Sequence, residues 1–281
     1  MVKRWAVAAC LALVATVPTL VSGQTRDSFV QKTGSDVVPI FEGWYKNPDG
    51  SLSLSFGYLN RNYEEEVDIP VGPANRIEPG PEDQGQPTHF YPRRQRGVFV
   101  AKLPKDAGNK KVTWTLSVRG QTASVPANLG ELYNIDALRS EGLNRIPPGL
   151  KLEATGAMGV GPAGTKTALK TVFPNAVTLD GWVVNTEAAS GSQTGQSEYR
   201  PRRHVMLTWS KYRGPGMVTF SPPTLTVNPT DKATTSATFS TPGQYMLRVL
   251  VIGDEMNNPT AQTYQCCWTN GYVQVSVEPA R

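Results

Sequence analysis

Short runs in which apolar and polar residues alternate, separated by turn residues, make up most of the chain. Residues 51–56 alternate serine with leucine directly after Pro48-Asp49-Gly50, and residues 112–118 alternate through Trp114 and Leu116. Alternation with a period of two places one face of a strand in a core and the other in solvent. Asp-Gly between two such runs is a strong hairpin signal. The pattern therefore predicts many short, mostly antiparallel strands joined by turns.

The first β-rich domain is predicted to cover residues 37–137. Further strands are predicted at residues 66–71 and 97–103. Residues 72–96 are polar and rich in proline and glycine, which predicts a long loop that is either functional or unstructured. Residues 129–143 are the one stretch in which the pattern allows a short helix. Residues 138–165 contain Ile-Pro-Pro-Gly and a glycine-rich run, so they are predicted to be a linker between two domains.

The second β-rich domain is predicted to cover residues 166–281, with its longest apolar strand at residues 245–252. The sequences LTWSKYRGPGMVTFS and TTSATFSTPGQYMLRVLVI follow each other within it. They resemble the body of a PKD-type immunoglobulin-like sandwich, which implies an antiparallel all-β fold with Trp209 and Tyr245 as structural core residues. Tyr245 would stand at the tyrosine corner of such a domain. The long connection at residues 253–271 departs from the tight hairpin usual for that family, and the chain as a whole resembles bacterial secreted proteins.

The first residues have the pattern of a secretory signal peptide. Lys3 and Arg4 precede an apolar run, and small or β-branched residues at positions 21–23 predict cleavage before Gln24. Residues 1–23 are therefore predicted to be a signal peptide and residues 24–36 a flexible leader. The alternatives are an uncleaved membrane anchor or lipidation of Cys10, although Pro18 interrupts the run before it reaches the length of a spanning helix. The predicted location is periplasmic or extracellular, with membrane contact only if the segment stays uncleaved.

The net charge is mildly basic and excludes few classes of binding partner. The 281 residues carry a formal net charge of +5, and loss of Lys3 and Arg4 would reduce it to +3 (5 − 2). A nucleic-acid-binding domain usually has a much denser basic face, so nucleic acid is not an expected partner.

The adjacent cysteines Cys266 and Cys267 are candidates for a disulfide. In an exported protein thiols tend to oxidise, and with Cys10 removed these two would be each other's only partners within the chain. A bond between neighbours needs a strained ring, so the alternative is two free thiols, one buried and one exposed. The spacing lacks the CxxC pattern of a redox site, and no histidine is close in sequence. Tyr264 and Trp268 are predicted to form a ligand-facing rim beside the pair.

Two arginine clusters are interleaved with aromatic residues. His-Phe-Tyr-Pro-Arg-Arg-Gln-Arg at residues 89–96 contains Arg93, Arg94 and Arg96, and Tyr-Arg-Pro-Arg-Arg-His occupies residues 199–204. Guanidinium groups bind phosphate, carboxylate or sulfate and stack on flat rings. The alternative is a solvated loop in which the basic groups pair with Glu64–Glu66 or with Glu82 and Asp83. The predicted binding residues are Arg93, Arg94, Arg96, Tyr264 and Trp268.

The sequence carries no recognisable catalytic motif. It has two histidines and no GxSxG, HExxH or P-loop spacing, and it predicts neither a cofactor nor a metal site. The carboxylates that could serve a glycoside hydrolase, if they met in space, are Glu42, Asp68, Glu78 and Asp83.

These observations favour an exported, non-catalytic binding or scaffolding protein of the bacterial cell envelope. Proteins with PKD-like domains act as spacers and as adhesion or carbohydrate-contact modules, and the resemblance implies such a role here. The expected partners are an envelope protein or an anionic glycan or lipid. One alternative is an accessory subunit of a larger envelope complex, and another is a polysaccharide-active hydrolase.

Overall fold

The computed structural model describes residues 31–105, 111–139, 146–186, 202–253 and 266–280. Within these ranges the chain is almost entirely β-strand, and its one helical element is a single 3-10 turn, η1 (Glu131–Tyr133). The prediction of an all-β protein is therefore confirmed. The predicted signal peptide, Tyr264 and residues 199–201 lie outside the described ranges. Among the helices of these ranges, none has the length and hydropathy required to cross a bilayer.

Three small antiparallel sheets make up the first β-rich unit. One sheet has the order β1-β2-β6, from β1 (Val37–Lys46), β2 (Leu52–Asn60) and β6 (Arg93–Leu103). A second sheet has the order β4-β7-β8, from β4 (Asn75–Glu78), β7 (Thr113–Val118) and β8 (Gln121–Pro126). The strands β3 (Val67–Asp68) and β5 (His89–Phe90) pair as a two-stranded ribbon.

Trp114 on β7 lies at the centre of this unit's core and is fully buried. Its ring contacts Phe99 and Phe56 edge to face, with centroids 5.0 and 5.9 Å away, and Phe90 in a stacked arrangement at 6.4 Å. Its indole Nε1 donates a hydrogen bond of 3.0 Å to Oδ1 of Asn75. Aromatic pairs at these distances stabilise a core beyond the area that they bury.

Two facing sheets make up the second unit. The five-stranded sheet has the order β10-β17-β16-β12-β14, and the four-stranded sheet has the order β13-β15-β11-β9. Strand β10 runs parallel to β17, and the other pairs are antiparallel. The strands are β9 (Gly149–Lys151), β10 (Thr165–Val172), β11 (Val177–Val184), β12 (Val205–Arg213), β13 (Val218–Ser221), β14 (Thr224–Val227), β15 (Lys232–Phe239), β16 (Gly243–Gly253) and β17 (Trp268–Glu278).

This second unit is an immunoglobulin-like sandwich. The order β9-β11-β15-β13 corresponds to the A-B-E-D sheet of that fold, and β12-β16-β17 correspond to its C-F-G strands. Trp209 on β12 and Tyr245 on β16 are both buried in the core between the sheets. The hydroxyl of Tyr245 donates a hydrogen bond of 2.7 Å to the carbonyl of Thr241, four residues upstream, which is the geometry of a tyrosine corner.

Residues 72–96 contain β4, β5 and the start of β6, so the prediction of a long loop there is wrong for much of the stretch. Buried amide side chains provide the order. Nδ2 of Asn75 donates to the carbonyls of Ile69 and Pro87 at 3.0 and 2.7 Å, and Nε2 of the fully buried Gln86 donates to the carbonyl of Glu82 at 2.8 Å. A polar side chain that satisfies buried backbone groups allows a polar segment to pack inside a protein.

The two units share a packed boundary. Tyr212 and Tyr272, from the sandwich, belong to the buried cluster of the first unit, and residues 31–281 form one compact unit by their contacts. Strand β9 lies in the segment predicted as a linker, residues 138–165, and pairs with β11 of the sandwich. Residue 31, in the predicted flexible leader, accepts a backbone hydrogen bond from Tyr63. The division at residues 137 and 166 stays a prediction.

Candidate functional site

Gly97 is the point at which β6 of the first unit meets the five-stranded sheet of the sandwich. Its carbonyl oxygen accepts hydrogen bonds from the side chains of Asn270, Trp268 and Arg248, at 3.0, 3.2 and 3.3 Å. All three side chains are buried. Gly97 also has a φ of +51°, a conformation that favours glycine. These buried hydrogen bonds fix the position of β6 on the sandwich.

The predicted arginines stand on β6 just before this junction. Arg93 and Arg96 are exposed, whereas Arg94 is half-buried and its Nη2 lies 2.8 Å from Oε1 of the buried Glu42. The guanidinium of Arg93 lies over the ring of Tyr63, 3.9 Å from the centroid. Arg93 and Arg96 are therefore available to a ligand, and Arg94 is engaged within the fold.

Trp268 does not form the ligand-facing rim predicted for it, because only 8% of its surface is exposed. Gly97 has no side chain, and the Trp268 indole occupies the space that one would fill. Cys266 and Cys267 are buried beside it, and their sulfur atoms are bonded to each other. The structure thus brings Trp268 next to the arginine strand, as a packing contact rather than as an exposed surface.

A cleft of about 720 Å³ opens between the β3–β5 ribbon and β13, and we call it the ribbon cleft. Two buried residues of β12, Trp209 and Lys211, are among its lining residues. The hydroxyl of Tyr91 accepts a hydrogen bond of 2.8 Å from the backbone amide of Lys211. The residues that line it are Glu66, Asp68, His89, Tyr91, Trp209, Lys211, Pro215, Gly216, Met217, Val218, Thr219, Phe220, Pro223 and Ser240.

The ionisable groups of the ribbon cleft form a connected cluster. The buried imidazole of His89 has Nδ1 at 2.8 Å from Oδ1 of Asp68 and Nε2 at 3.0 Å from Oε2 of Glu66. Nζ of the buried Lys211 lies 3.5 Å from the same oxygen of Asp68. Burial alone would raise the pKa of Asp68, but hydrogen bonding to His89 and the charge of Lys211 lower that pKa below its usual value. Asp68 is therefore a charged carboxylate at neutral pH.

Sequence reasoning did not find this cluster as a site. It placed His89 in the arginine cluster and considered Glu66 only as a partner for the arginines; in the structure Glu66 pairs with His89 instead. Asp68 ends the short strand β3 and Glu66 directly precedes it, and a spacing of two residues puts both side chains on one side of the strand. Lys211 carried no sequence signal, because its role depends on a partner 143 positions away.

The carboxylates considered for a hydrolase each have a different basic partner. Asp68 pairs with Lys211, Glu42 with Arg94, Glu78 with Arg76 and Asp83 with Arg213. Asp68 is the one of these four that lines the ribbon cleft. The structure thus does not place two of them across it, as hydrolysis of a glycoside would require. Within the described ranges, no cluster of three or more histidine, cysteine or acidic side chains has the geometry of a metal site.

An ion pair between Asp83 and Arg213 joins the two units outside the ribbon cleft. Nη1 and Nη2 of Arg213 lie 2.6 and 2.8 Å from the two carboxylate oxygens of Asp83. These hydrogen bonds, together with one from the backbone amide of Gly85, lower the pKa of Asp83 to about 2 from its ordinary 3.8. A depressed folded-state pKa stabilises the fold above the unfolded-state pKa, and this contribution is lost as pH falls through the folded-state value.

We therefore expect the free energy of unfolding of the wild type to exceed that of Asp83→Asn by a constant amount above the ordinary pKa of 3.8. The difference should shrink as the pH falls towards the folded-state pKa of about 2. Urea unfolding followed over this pH range measures it. In an Arg213→Met background the same substitution should show a smaller pH dependence, because the first cause of the lowered pKa is removed while the hydrogen bond from Gly85 remains, and an undiminished dependence would contradict the assignment to this pair.

The chain matches no protein-family model, and no curated protein sequence matches it at a significant level. Among solved structures, a Porphyromonas gingivalis W83 protein of unknown function aligns with 86% of this chain and all of its own, at 8% identity and a TM-score of 0.25. The D0-D1 domain of intimin covers 86% of this chain and 98% of its own, at 11% identity and a TM-score of 0.24. The Yersinia pseudotuberculosis adhesin InvE aligns with 86% of this chain and 58% of its own, at 11% identity and a TM-score of 0.24. Alignments at this level carry no inference about the function of this chain.

Proposed function

We propose that the protein is an exported, non-catalytic binding or scaffolding protein of the bacterial cell envelope, which holds an anionic partner through Arg93 and Arg96. The observation that carries the proposal is the position of these exposed arginines on β6, directly before the Gly97 junction. A binding surface on a fixed strand needs little ordering when it meets its partner.

The local geometry supports an anionic partner. Arg93 is held over the Tyr63 ring, and its Nη1 donates 3.1 Å to the carbonyl of Arg61, so its guanidinium is partly oriented before binding. Arg96 is exposed, and no ion pair to it is found within the described ranges. Guanidinium groups bind carboxylate, sulfate and phosphate, which anionic glycans and lipid headgroups share.

The envelope location and the PKD-type assignment of the sandwich belong to the same proposal. The signal-like pattern of residues 1–23 supports export. The buried Trp209 of β12 and the Tyr245–Thr241 hydrogen bond support a PKD-type module, because they lie where the resembling sequence places them. In this proposal the sandwich acts as a spacer that presents the first unit.

The proposal predicts that Arg93→Ala combined with Arg96→Ala weakens binding to anionic probes by roughly tenfold, since an exposed ion pair contributes about 0.2–1 kcal/mol. The probes are sulfated polysaccharide and vesicles with or without phosphatidylglycerol, measured by surface plasmon resonance at low and high salt. If the double variant loses binding to the polysaccharide but not to the vesicles, the partner is a glycan. If it loses binding to the vesicles but not to the polysaccharide, the partner is a lipid.

The matched control removes two exposed lysines outside β6, Lys111→Ala with Lys170→Ala, and so changes the net charge by the same amount. The control should bind like the wild type. Equal weakening in both double variants would show a diffuse charge effect and would overturn the arginine site, as would the absence of binding to any anionic probe.

A further inference from the structure

Strand β13 is an edge strand whose free edge faces the ribbon cleft. It pairs with β15 on one side, and within the described ranges no strand pairs with its other side. Residues 215–220, which include most of β13, form one wall of the cleft. An unpaired strand edge is a template for another extended chain.

The register shows which backbone groups are free. The amide of Ser240 donates 3.0 Å to the carbonyl of Met217, so this pair lies in the hydrogen-bonded phase of the β13–β15 ladder. Antiparallel residues alternate between bonded and non-bonded pairs, and Thr219, opposite Thr238, is in the same phase as Met217. The amide and carbonyl groups of Val218 and Phe220 therefore point away from β15, towards the open edge.

The opposite wall of the ribbon cleft is acidic. The side chains of Glu66 and Asp68 are 51% and 61% exposed, although each has one oxygen close to His89. Nζ of the buried Lys211 lies 3.5 Å from the Asp68 oxygen that also contacts His89, so within the described residues the second oxygen of each carboxylate is left to the cleft. This wall therefore complements a positively charged ligand.

Tyr91 also lines the ribbon cleft. Tyr91 uses its hydroxyl oxygen as an acceptor from Lys211, which leaves the hydroxyl proton available to a ligand.

We propose that the ribbon cleft binds an extended, basic peptide segment of a partner protein, which adds as a strand to the free edge of β13. The backbone of the segment pairs with Val218 and Phe220, and its lysine or arginine side chains meet Glu66 and Asp68. Strand addition draws its affinity from main-chain hydrogen bonds and its specificity from the side chains. This site is separate in charge and in residues from the arginine surface, and it fits the alternative role of an envelope-complex subunit.

The test uses synthetic peptides with the chain from Gln24 onward, which lacks the predicted signal peptide. The probe alternates valine with threonine and lysine. One matched peptide has glutamate for each lysine, and another has N-methylated backbone amides, which removes the donors for strand pairing. Isothermal calorimetry should show binding of the lysine peptide, weakening of roughly tenfold or more with the glutamate peptide, and loss of binding with the N-methylated one.

Protein variants locate the site. Glu66→Gln should weaken binding of the lysine peptide several-fold, whereas Glu78→Gln, a carboxylate paired with Arg76 elsewhere, should not. The double variant Arg93→Ala with Arg96→Ala should bind this peptide like the wild type, which separates the cleft from the arginine surface. Amide hydrogen exchange supplies a direct readout, because added peptide should slow exchange at Val218 and Phe220.

Several results would overturn the proposal. They are no binding of the lysine peptide, equal binding of the glutamate or N-methylated peptide, and unchanged exchange at Val218 and Phe220 in the presence of bound peptide. Binding of a neutral oligosaccharide that is lost in Glu66→Gln, without peptide binding, would assign the ribbon cleft to a saccharide instead.

Discussion

Replacement of Gly97 by alanine is expected to lower the free energy of unfolding by about 2–5 kcal/mol, because two costs combine. The new Cβ would lie far inside van der Waals contact with the ring of Trp268, which is itself buried. The backbone φ of +51° also disfavours any residue with a side chain. Displacement of Trp268 would break its hydrogen bond to the Gly97 carbonyl. Urea unfolding at neutral pH measures the loss.

Gly120 provides the matched control. It has a φ of +74°, and a Cβ at this position would meet no heavy atom within 4 Å. Gly120→Ala should therefore show the backbone cost alone, about 1–2 kcal/mol. In a Trp268→Ala background, Gly97→Ala should lower the free energy of unfolding by less, because the effects of substitutions at contacting residues are not additive. Equal losses at Gly97 and Gly120 would show that the contact with Trp268 contributes nothing.

Trp114→Ala is expected to destabilise the protein by about 3–5 kcal/mol. The change removes a fully buried ring from the cluster of Phe56, Phe90 and Phe99, and it leaves Oδ1 of Asn75 without its indole donor. The same buried cluster includes tyrosines of the sandwich, so the loss should lower the stability of both units together. Circular dichroism and tryptophan fluorescence should give one coincident unfolding transition.

Trp182 on β11 is the matched tryptophan outside the core. It is half-buried, and Nζ of Lys232 lies 5.0 Å from its ring centroid. Trp182→Ala should cost about 1 kcal/mol or less, since it removes a partly exposed ring and one cation–π contact. Two separate transitions in Trp114→Ala, one at the wild-type midpoint, would show that the units unfold independently and would contradict the coupling.

Local pattern predicted the position of several strands, but in β2 the polar face is buried as well, since Ser53 and Ser55 are fully buried. The alternation at residues 51–56 and 112–118 corresponds to β2 and β7, and the long apolar run at residues 245–252 lies in β16. Period-two alternation shows that one strand face is apolar, which is a local property, but it does not show what covers the other face. It does not report which strands pair, so the sheet order of the first unit could not be predicted.

The ribbon cleft was missed for a related reason. Its cluster joins Asp68, His89 and Lys211, and the last of these lies more than a hundred positions from the others. The sequence also suggested the wrong environment for Asn75 and Gln86. In a sequence, an amide side chain that satisfies buried backbone groups looks the same as one in a solvated loop. Both cases depend on contacts between distant segments, which a single sequence does not display.

The parallel pairing of β10 with β17 has a consequence for a molecule under tension. The two strands are in register from Thr165 opposite Gly271 to Val172 opposite Glu278. If force pulls the start of β10 and the end of β17 in opposite directions, it slides the strands along each other. The evenly spaced hydrogen bonds of a parallel pair then share the load and must fail together, whereas those of a hairpin pulled open at one end fail one at a time. Along this axis, the sandwich would therefore resist a pulling force until many hydrogen bonds break at once, instead of opening one hydrogen bond at a time.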